Sequence, residues 1–203
     1  MTIDTKDMLN SILSSIARID YIKSEDIPNI GLYMDQVTTF MEEELRSTKR
    51  YEEDKILTKT MINNYAKNNL LPPPVKKKYS KEHMLVMIFI YYFKNILSIK
   101  DIETLLSPLT EKYFDKHDGF NFTDIYEEIC QFEKSRITDM QKDIAKTYQS
   151  ALETFPDLPE NERGDLQTFA FLCSLSFDVY IKKQMIEKLI DELPEPVHIK
   201  KKK

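Results

Sequence analysis

Glycine and tryptophan are the scarcest residue types here: the 203 residues include three glycines and no tryptophan. A glycine-rich loop that cradles a nucleotide needs positive-φ positions, and an all-β fold with many turns needs them repeatedly. Both classes of protein are therefore disfavoured. Helices, which need few such positions, fit the composition better.

Long apolar runs are also missing. The longest run, Met84–Phe93, has ten residues, whereas a membrane-spanning helix requires roughly 20. This run predicts a core helix, and no membrane partner is expected. The opening residues MTIDTKDMLN carry acids and no apolar segment of the kind that a secretory signal contains. We therefore expect the protein to stay in the cytoplasm.

Cysteine is limited to Cys130 and Cys173. They lie in separate predicted helices, and no histidine is close to either in sequence. This pattern predicts two buried or half-buried thiols in a reducing compartment.

Motifs of catalysis and metal binding are missing as well. His83, His117 and His198 are far apart, and the sequence contains no HExxH, GxSxG or CxxC. The acidic runs Glu42–Glu44 and Glu127–Glu128 are typical of solvated helix faces. No inward-facing ExxH pair occurs that could build a metal site inside a helix bundle. We expect neither an enzyme nor a resident metal or cofactor.

The charge is unevenly distributed along the chain. The net charge of -5 by itself discourages a nucleic-acid partner. Between Lys55 and Lys81, however, there are seven lysines and no acidic residue, so the other 176 residues together carry -12. An acid-free basic stretch against an acidic background is typical of a surface that binds a polyanion.

A short helix with a polar face is predicted inside this stretch. Thr58 is a candidate N-cap, and the helix is expected to run to about Asn68. Because residues three and four apart share a face, the side turned toward a core would carry Ile62, Tyr65 and Ala66. The opposite side would carry Thr60, Asn63, Asn64 and Lys67. Asparagine can pair bidentately with adenine in the major groove, so the composition favours a DNA recognition helix; a solvated helix face is the alternative.

Prolines and lysines follow this helix. Leu71 and the prolines 72–74 are expected to end it, because proline cannot continue a helix. The lysines 76–78 then lie on a short extended stretch, where a wing would follow the sugar-phosphate backbone of DNA. A further helix is expected from Lys81, after Ser80 as N-cap, to Ile96. An exposed basic loop is one alternative for the lysines. A polyproline ligand is another for the prolines, although the PxxP register is absent.

The segment TMINNYAKNNLLPPPVKKKYSKEHMLVMIFIYYFKNILSIKDIETLL resembles the winged helix-turn-helix of MerR-type regulators. In those proteins a recognition helix with paired tyrosines precedes GLLPPP, a basic wing, a Tyr-Ser helix start and a closing SLEEIRELL-like helix. The matching positions are Leu70, Leu71, Pro72, Pro73, Pro74, Tyr79, Ser80, Ile99, Ile102 and Leu105. Where MerR-type proteins usually carry an arginine and two tyrosines, this chain has Asn63, Asn64 and Tyr65, so no base preference is carried over.

The whole chain also resembles a bacterial family, domain of unknown function eighteen thirty-six. The blocks DIPNIGLYMDQVTTFMEEEL and LTKTMINNYAKNNLLPPPVKKKYSKEHML carry this likeness. The MerR-like resemblance covers about residues 27–106 and implies a winged helix-turn-helix and a DNA-binding mode. Together with the helical patterns of the rest of the chain, it leads us to expect an all-α fold, with a MerR-like winged helix-turn-helix N-terminal domain followed by a long-helix C-terminal hairpin.

Helical patterns organise the rest of the chain. Amphipathic helices are expected over about 4–17 and 32–45, and a short one over Ile99–Leu106. Pro108 and the stretch 115–119 indicate a domain boundary. We expect a winged helix-turn-helix domain with an extra N-terminal helix at 1–107, a helical hairpin for dimerisation or ligand binding at 108–193, and a disordered basic tail at 194–203.

The expected hairpin consists of two long helices, over about 122–155 and 163–193. The second carries apolar residues on more than one face, so a single antiparallel partner leaves apolar surface exposed. These residues are Phe169, Leu172, Cys173, Leu175, Phe177, Val179 and Tyr180. A dimer partner and the N-terminal domain are both candidates for covering them, and the sequence does not choose.

We expect a DNA-binding transcriptional regulator that acts as a homodimer on double-stranded DNA, with two recognition helices in successive major grooves. A small-molecule effector is left open as a further partner. The alternative is a non-catalytic protein-interaction module on the same scaffold, which the lysines disfavour because protein interfaces are depleted in them. The residues expected to contact DNA are Lys59, Thr60, Asn63, Asn64, Lys67, Lys76, Lys77 and Lys78.

Overall fold

Helices dominate the computed structural model, which describes residues 5–16 and 22–194. In chain order the α-helices of these residues are α1 (Thr5–Ile16), α2 (Met34–Glu44), α3 (Lys59–Lys67), α4 (Lys81–Phe93), α5 (Ile99–Tyr113), α6 (Phe122–Leu152) and α7 (Glu160–Asp191). The expected all-α class is therefore confirmed. The tail expected at 194–203 lies, apart from residue 194, outside the described residues. No helix of the described ranges is long and apolar enough to cross a membrane.

Two short strands and two 3-10 helices, Ser24–Asp26 and Arg46–Thr48, complete the secondary structure of the described residues. Strand β1 (Leu32–Tyr33) precedes α2, and strand β2 (Lys78–Tyr79) precedes α4. They pair antiparallel, with Leu32 opposite Tyr79 and Tyr33 opposite Lys78. The helix expected from residue 32 therefore begins at Met34, because the two residues before it are used in pairing.

Helix α4 forms the centre of one compact unit, which comprises residues 22–130 and 187–194 of the described chain. Every residue from His83 to Tyr91 is buried, as expected for the longest apolar run. Helices α2, α3 and α5 each contribute buried apolar side chains to the same core, among them Val37, Met41, Ile62, Ile102 and Leu106.

The prediction that a short helix would end near Leu106 was wrong, because α5 continues through Pro108 to Tyr113. Proline removes one backbone hydrogen bond inside a helix. Apolar packing on both sides of Pro108 compensates: Leu106 before it is buried, and the half-buried Leu109 and Tyr113 after it pack against the same core.

A second compact unit contains α1 and the long helices, over residues 5–16 and 131–186. Its core is small and combines Leu9, Tyr148, Ala151 and Phe171. Gln141 Nε2 donates a hydrogen bond to the carbonyl oxygen of Leu13 at 3.0 Å, which ties α1 to α6. A compact unit is defined by packing, whereas the predicted domains are defined by independent folding, so the boundary expected near residue 107 stays a prediction.

The two cysteines differ in environment. Cys130 is half-buried, as expected, but Cys173 is exposed. The prediction of a covered thiol at residue 173 was wrong because the side of α7 that carries it faces solvent in the structure.

Candidate nucleic-acid interface

Helix α3 begins and ends with local capping interactions. The hydroxyl oxygen of Thr58 accepts a hydrogen bond from the Met61 backbone N–H at 3.2 Å, as an N-cap should. At the other end Asn69 adopts a left-handed conformation, with φ of 56°, and the Leu70 N–H donates to the Tyr65 carbonyl at 2.9 Å. This is the Schellman arrangement, so the helix stops before the first proline is reached.

The two sides of α3 differ as the sequence predicts. Ile62 and Tyr65 are buried, while the opposite side exposes Lys59, Thr60, Asn63, Asn64 and Lys67. Within the described residues the side-chain amides of Asn63 and Asn64 form no hydrogen bond, which leaves their donors and acceptors to an external ligand. The exposed side carries cations and amides and no carboxylate of its own.

The next three expected contact residues belong to a tight turn, here called the lysine turn (Val75–Lys78). The Lys78 N–H donates to the Val75 carbonyl at 2.9 Å, and Lys76 and Lys77 both have positive φ, 50° and 63°. Two positive φ values mark the type I′ hairpin turn, where Asn-Gly is the usual pair. The expected extended stretch was therefore wrong for Lys76 and Lys77, and only Lys78 lies in a strand.

The lysine turn contains backbone strain. A left-handed conformation costs a residue with a Cβ roughly 1–2 kcal/mol, and this turn places two lysines in it. Strained positions of this kind cluster where a side chain serves a function. The side chains of all three lysines are exposed. The strained turn therefore presents positive charge to solvent, and its lysine side chains contribute nothing to the core.

Helix α2 brings the start of α3 and the lysine turn together. Lys59 forms an ion pair with Asp35, in the first turn of α2. The Nζ of Lys78 lies 5.2 Å from the ring centroid of Tyr33, the N-cap of the same helix. Lys59 and Lys78 are distant in sequence, yet both contact the beginning of α2.

Gly31 allows this arrangement by its lack of a side chain. A Cβ at residue 31 would lie 3.1 Å from the Cβ of Lys78 and 3.2 Å from its Cδ, closer than side chains normally pack. The stem of Lys78 therefore runs along Gly31 toward the ring of Tyr33. The sequence shows Gly31 only as a break in regular structure.

His83 lies in the core beside Tyr79, the residue that directly follows the lysine turn. Its ring meets those of Tyr79 and Phe114 edge to face, at centroid distances of 5.5 and 4.7 Å. Its Nδ1 accepts a hydrogen bond from the Ser80 backbone N–H at 3.0 Å. Burial lowers the pKa of His83, and the backbone carbonyls of Pro73 and Pro72 raise it in opposition. A neutral imidazole therefore anchors the junction between β2 and α4.

Carboxylates lie near this surface although the stretch from Lys55 to Lys81 contains none. Asp35 is the first, beside Lys59. A groove of about 370 Å³ is lined by Lys55 together with Glu42, Glu43 and Arg46, so two carboxylates of α2 share a groove with Lys55. Sequence reasoning missed both, because no spacing rule connects residues of α2 with residues that follow a long connection.

Other parts of the described chain offer little chemistry. No group of His, Cys, Asp and Glu in the described ranges is arranged to hold a metal ion. A groove of about 590 Å³ runs between α6 and α7. It is lined by charged and small polar residues, among them Asp143, Lys146, Ser174, Asp178 and Lys182. The effector left open in the sequence analysis stays a prediction.

Comparison with known proteins gives one positive result. No curated protein and no solved structure matches the chain. The model of the family described as Domain of unknown function (DUF1836) matches residues 22–129, more than half of the chain. The matched range contains α2 to α5, both strands, the lysine turn and the first part of α6. The chain therefore belongs to this family of unknown function, as its two recognisable sequence blocks predict.

Proposed function

We propose that the chain is a DNA-binding transcriptional regulator of the winged helix-turn-helix type, with α3 as recognition helix and the lysine turn as wing. One observation carries the proposal: Lys59 and Lys78 converge on the first turn of α2. That convergence gathers the basic groups of α3 and of the lysine turn around one end of a helix. A polyanion is the partner that such a surface fits.

The two parts of the surface have different roles in this proposal. Lysines 59, 67, 76, 77 and 78 bind phosphate oxygens, which supplies affinity without reading sequence. Asn63 and Asn64 present paired donors and acceptors and read base edges, adenine being the base that asparagine matches. Thr60 lies on the same face and can donate to either kind of group.

The order of elements also supports the proposal. A strand, two helices and a hairpin that returns to the first strand follow one another as in the MerR-like winged helix-turn-helix that the sequence resembles. The connection between α2 and α3 spans residues 45–58, longer than the turn of a helix-turn-helix. It is anchored at its end, since Ile56 and Leu57 are buried and Lys94 Nζ donates to the Ile56 carbonyl at 2.7 Å.

The direct test is selection of bound sequences from random duplex DNA, followed by a salt titration on the enriched sequence. A triple variant with Lys76, Lys77 and Lys78 changed to glutamine should lose affinity for all duplexes alike. Its salt dependence should flatten by about 0.9 for each phosphate that a lysine no longer neutralises. The matched control changes Lys142, Lys146 and Lys182 of the long helices to glutamine and should leave DNA binding unaltered.

A different outcome would favour the alternative function. If no motif is enriched, and weak binding is the same for the chain with and without the three lysines, the DNA proposal is wrong. The non-catalytic protein-interaction module then becomes the better assignment, since winged helices also serve in that role.

A further inference from the structure

An apolar seam runs along the outer side of α7. Its central positions follow one another at intervals of three and four residues: Leu166, Phe169, Cys173, Ser176 and Tyr180. All five are exposed. Phe171 and Leu175, which lie on the other side of the helix, pack into the core shared with α1 and α6. The seam therefore points away from the small core of its own unit.

The seam is flanked by further large apolar side chains. Leu172 and Val179 line one edge, and Phe177 lies at the other. Among the large residues, Phe169, Phe177 and Val179 are each more than 60% exposed. Monomeric proteins rarely expose a contiguous apolar surface of this extent.

We infer that a second copy of this chain covers the seam, in an antiparallel dimer of α7 helices. The exposed area is of the right size. Six large apolar side chains, each exposing on the order of 100 Å², present about 600 Å², which reaches the lower end of the area that each partner contributes to a stable interface.

The seam is also complementary to itself. A two-fold axis between Cys173 and Ser176 places Phe169 opposite Tyr180 of the second copy, and Cys173 opposite Ser176 of the second copy. Along the edge, Leu172 meets Val179. The large side chains on either side of the axis thus meet one another, and the small pair sits at the axis where the helices approach most closely.

The pattern of the seam also defines its length. The next central position after Tyr180 is Lys183, a cation that ends the apolar run. Alternation of three and four residues is the period of helices that pack along each other.

This inference does not depend on DNA binding. If the proposed function also holds, the dimer presents two α3 helices to half-sites about one helical turn apart or a multiple of it.

The first test is sedimentation of the full chain at tens of micromolar in the absence of DNA. The chain should sediment at twice its monomer mass, and Phe169→Glu and Tyr180→Glu should each convert it to a monomer with unchanged helical circular dichroism. Phe132→Glu is the matched control, because Phe132 of α6 is 62% exposed, against 63% for Phe169, and lies off the seam. A monomeric wild type, or a dimer that both seam variants leave intact, would overturn the inference.

The second test reads the register by disulfide formation in a Cys130→Ser background. Adding Ser176→Cys should produce a covalent dimer under mild oxidation, through Cys173 of one copy and the new cysteine of the other. Ser174→Cys, the same change on another side of α7, should add nothing to the background yield. A covalent dimer that forms as readily through Cys173 alone would show a parallel arrangement and contradict the antiparallel register.

Discussion

Lys59 and Asp35 form an ion pair that joins the first residue of α3 to the first turn of α2. Their side chains are 59% and 77% exposed, so the pair stabilises the fold by only about 0–1 kcal/mol. The pair matters more for the charge of the proposed interface than for stability, because it holds a carboxylate beside a face whose other charges are positive. The proposed interface is thus partly neutralised before any ligand arrives.

Removing that carboxylate should strengthen DNA binding. Asp35→Asn releases Lys59 and removes one repulsive charge, so affinity for duplex DNA should rise roughly two- to fivefold at low salt. The gain should shrink as salt is added, since exposed charges are screened. Fluorescence anisotropy at two salt concentrations measures it. Asp157→Asn, with the same change of net charge in the loop after α6, is the control; an equal gain there would show that only the net charge matters.

Relieving the strain of the lysine turn should separate stability from binding. Lys76→Asn combined with Lys77→Gly suits the type I′ turn and should raise the free energy of unfolding by about 1 kcal/mol. Lys76→Ala combined with Lys77→Ala removes the same charges without relieving the strain and should bring no such gain. Both variants should lose DNA affinity equally, with the salt slope reduced by about 1.8. Thermal unfolding and anisotropy measure the two effects, and equal stability of both variants would contradict the strain argument.

Sequence preference should depend on Asn63. Asn63→Ala removes an exposed amide and should relax the preference at one position of the selected motif, lowering discrimination there by about 1–3 kcal/mol. Binding to unrelated duplexes should stay as it is, because no charge changes. Asn161→Ala, an exposed asparagine of α7, is the matched control. An Asn63→Ala variant that loses affinity equally on all sequences would show that Asn63 contacts the DNA backbone instead of the bases.

The buried His83 should make stability fall in mild acid. Its folded pKa lies below the ordinary value of 6.5 because of burial, so the unfolded chain takes up a proton that the folded chain resists. Stability is therefore complete above about pH 6.5 and declines as the pH falls through that value toward the folded pKa. Urea unfolding at about pH 7.5 and about pH 5.5 measures the decline.

Two variants isolate the contribution of that ring. His83→Gln keeps an acceptor near the Ser80 N–H and should show a smaller decline than wild type. His117→Gln, at an exposed histidine, should change the decline only through the small contribution of His117 to the pKa of Glu82. Burial also raises the pKa of Glu82, and that carboxyl works in the opposite direction in acid. Because wild type and His83→Gln share Glu82, comparing their declines cancels the effect of that carboxyl. Equal declines would mean that His83 is not the group responsible.

Patterns local in sequence predicted the local structure well. The N-cap Thr58 follows from residue type, because its hydroxyl oxygen accepts from the amide three residues ahead. The two sides of α3 and the central burial of α4 follow from apolar spacing. Interactions of this kind involve residues within one or two helical turns, so the amino-acid sequence alone contains the information needed to predict them.

Tertiary packing decided the rest. The pairing of Lys59 with Asp35 and the position of Lys78 over Tyr33 depend on how α2 packs against α3 and the strands, which no spacing rule states. Core packing likewise carries α5 through Pro108, and the pairing of Lys78 with Tyr33 follows a turn in which Lys76 and Lys77 adopt left-handed φ against their local preference. The sequence by itself determined where helices begin, which sides they bury and where positive charge concentrates. Only the tertiary structure decided which of those charges face one another, because the packing free energy over many residues outweighs the small local preference of each residue.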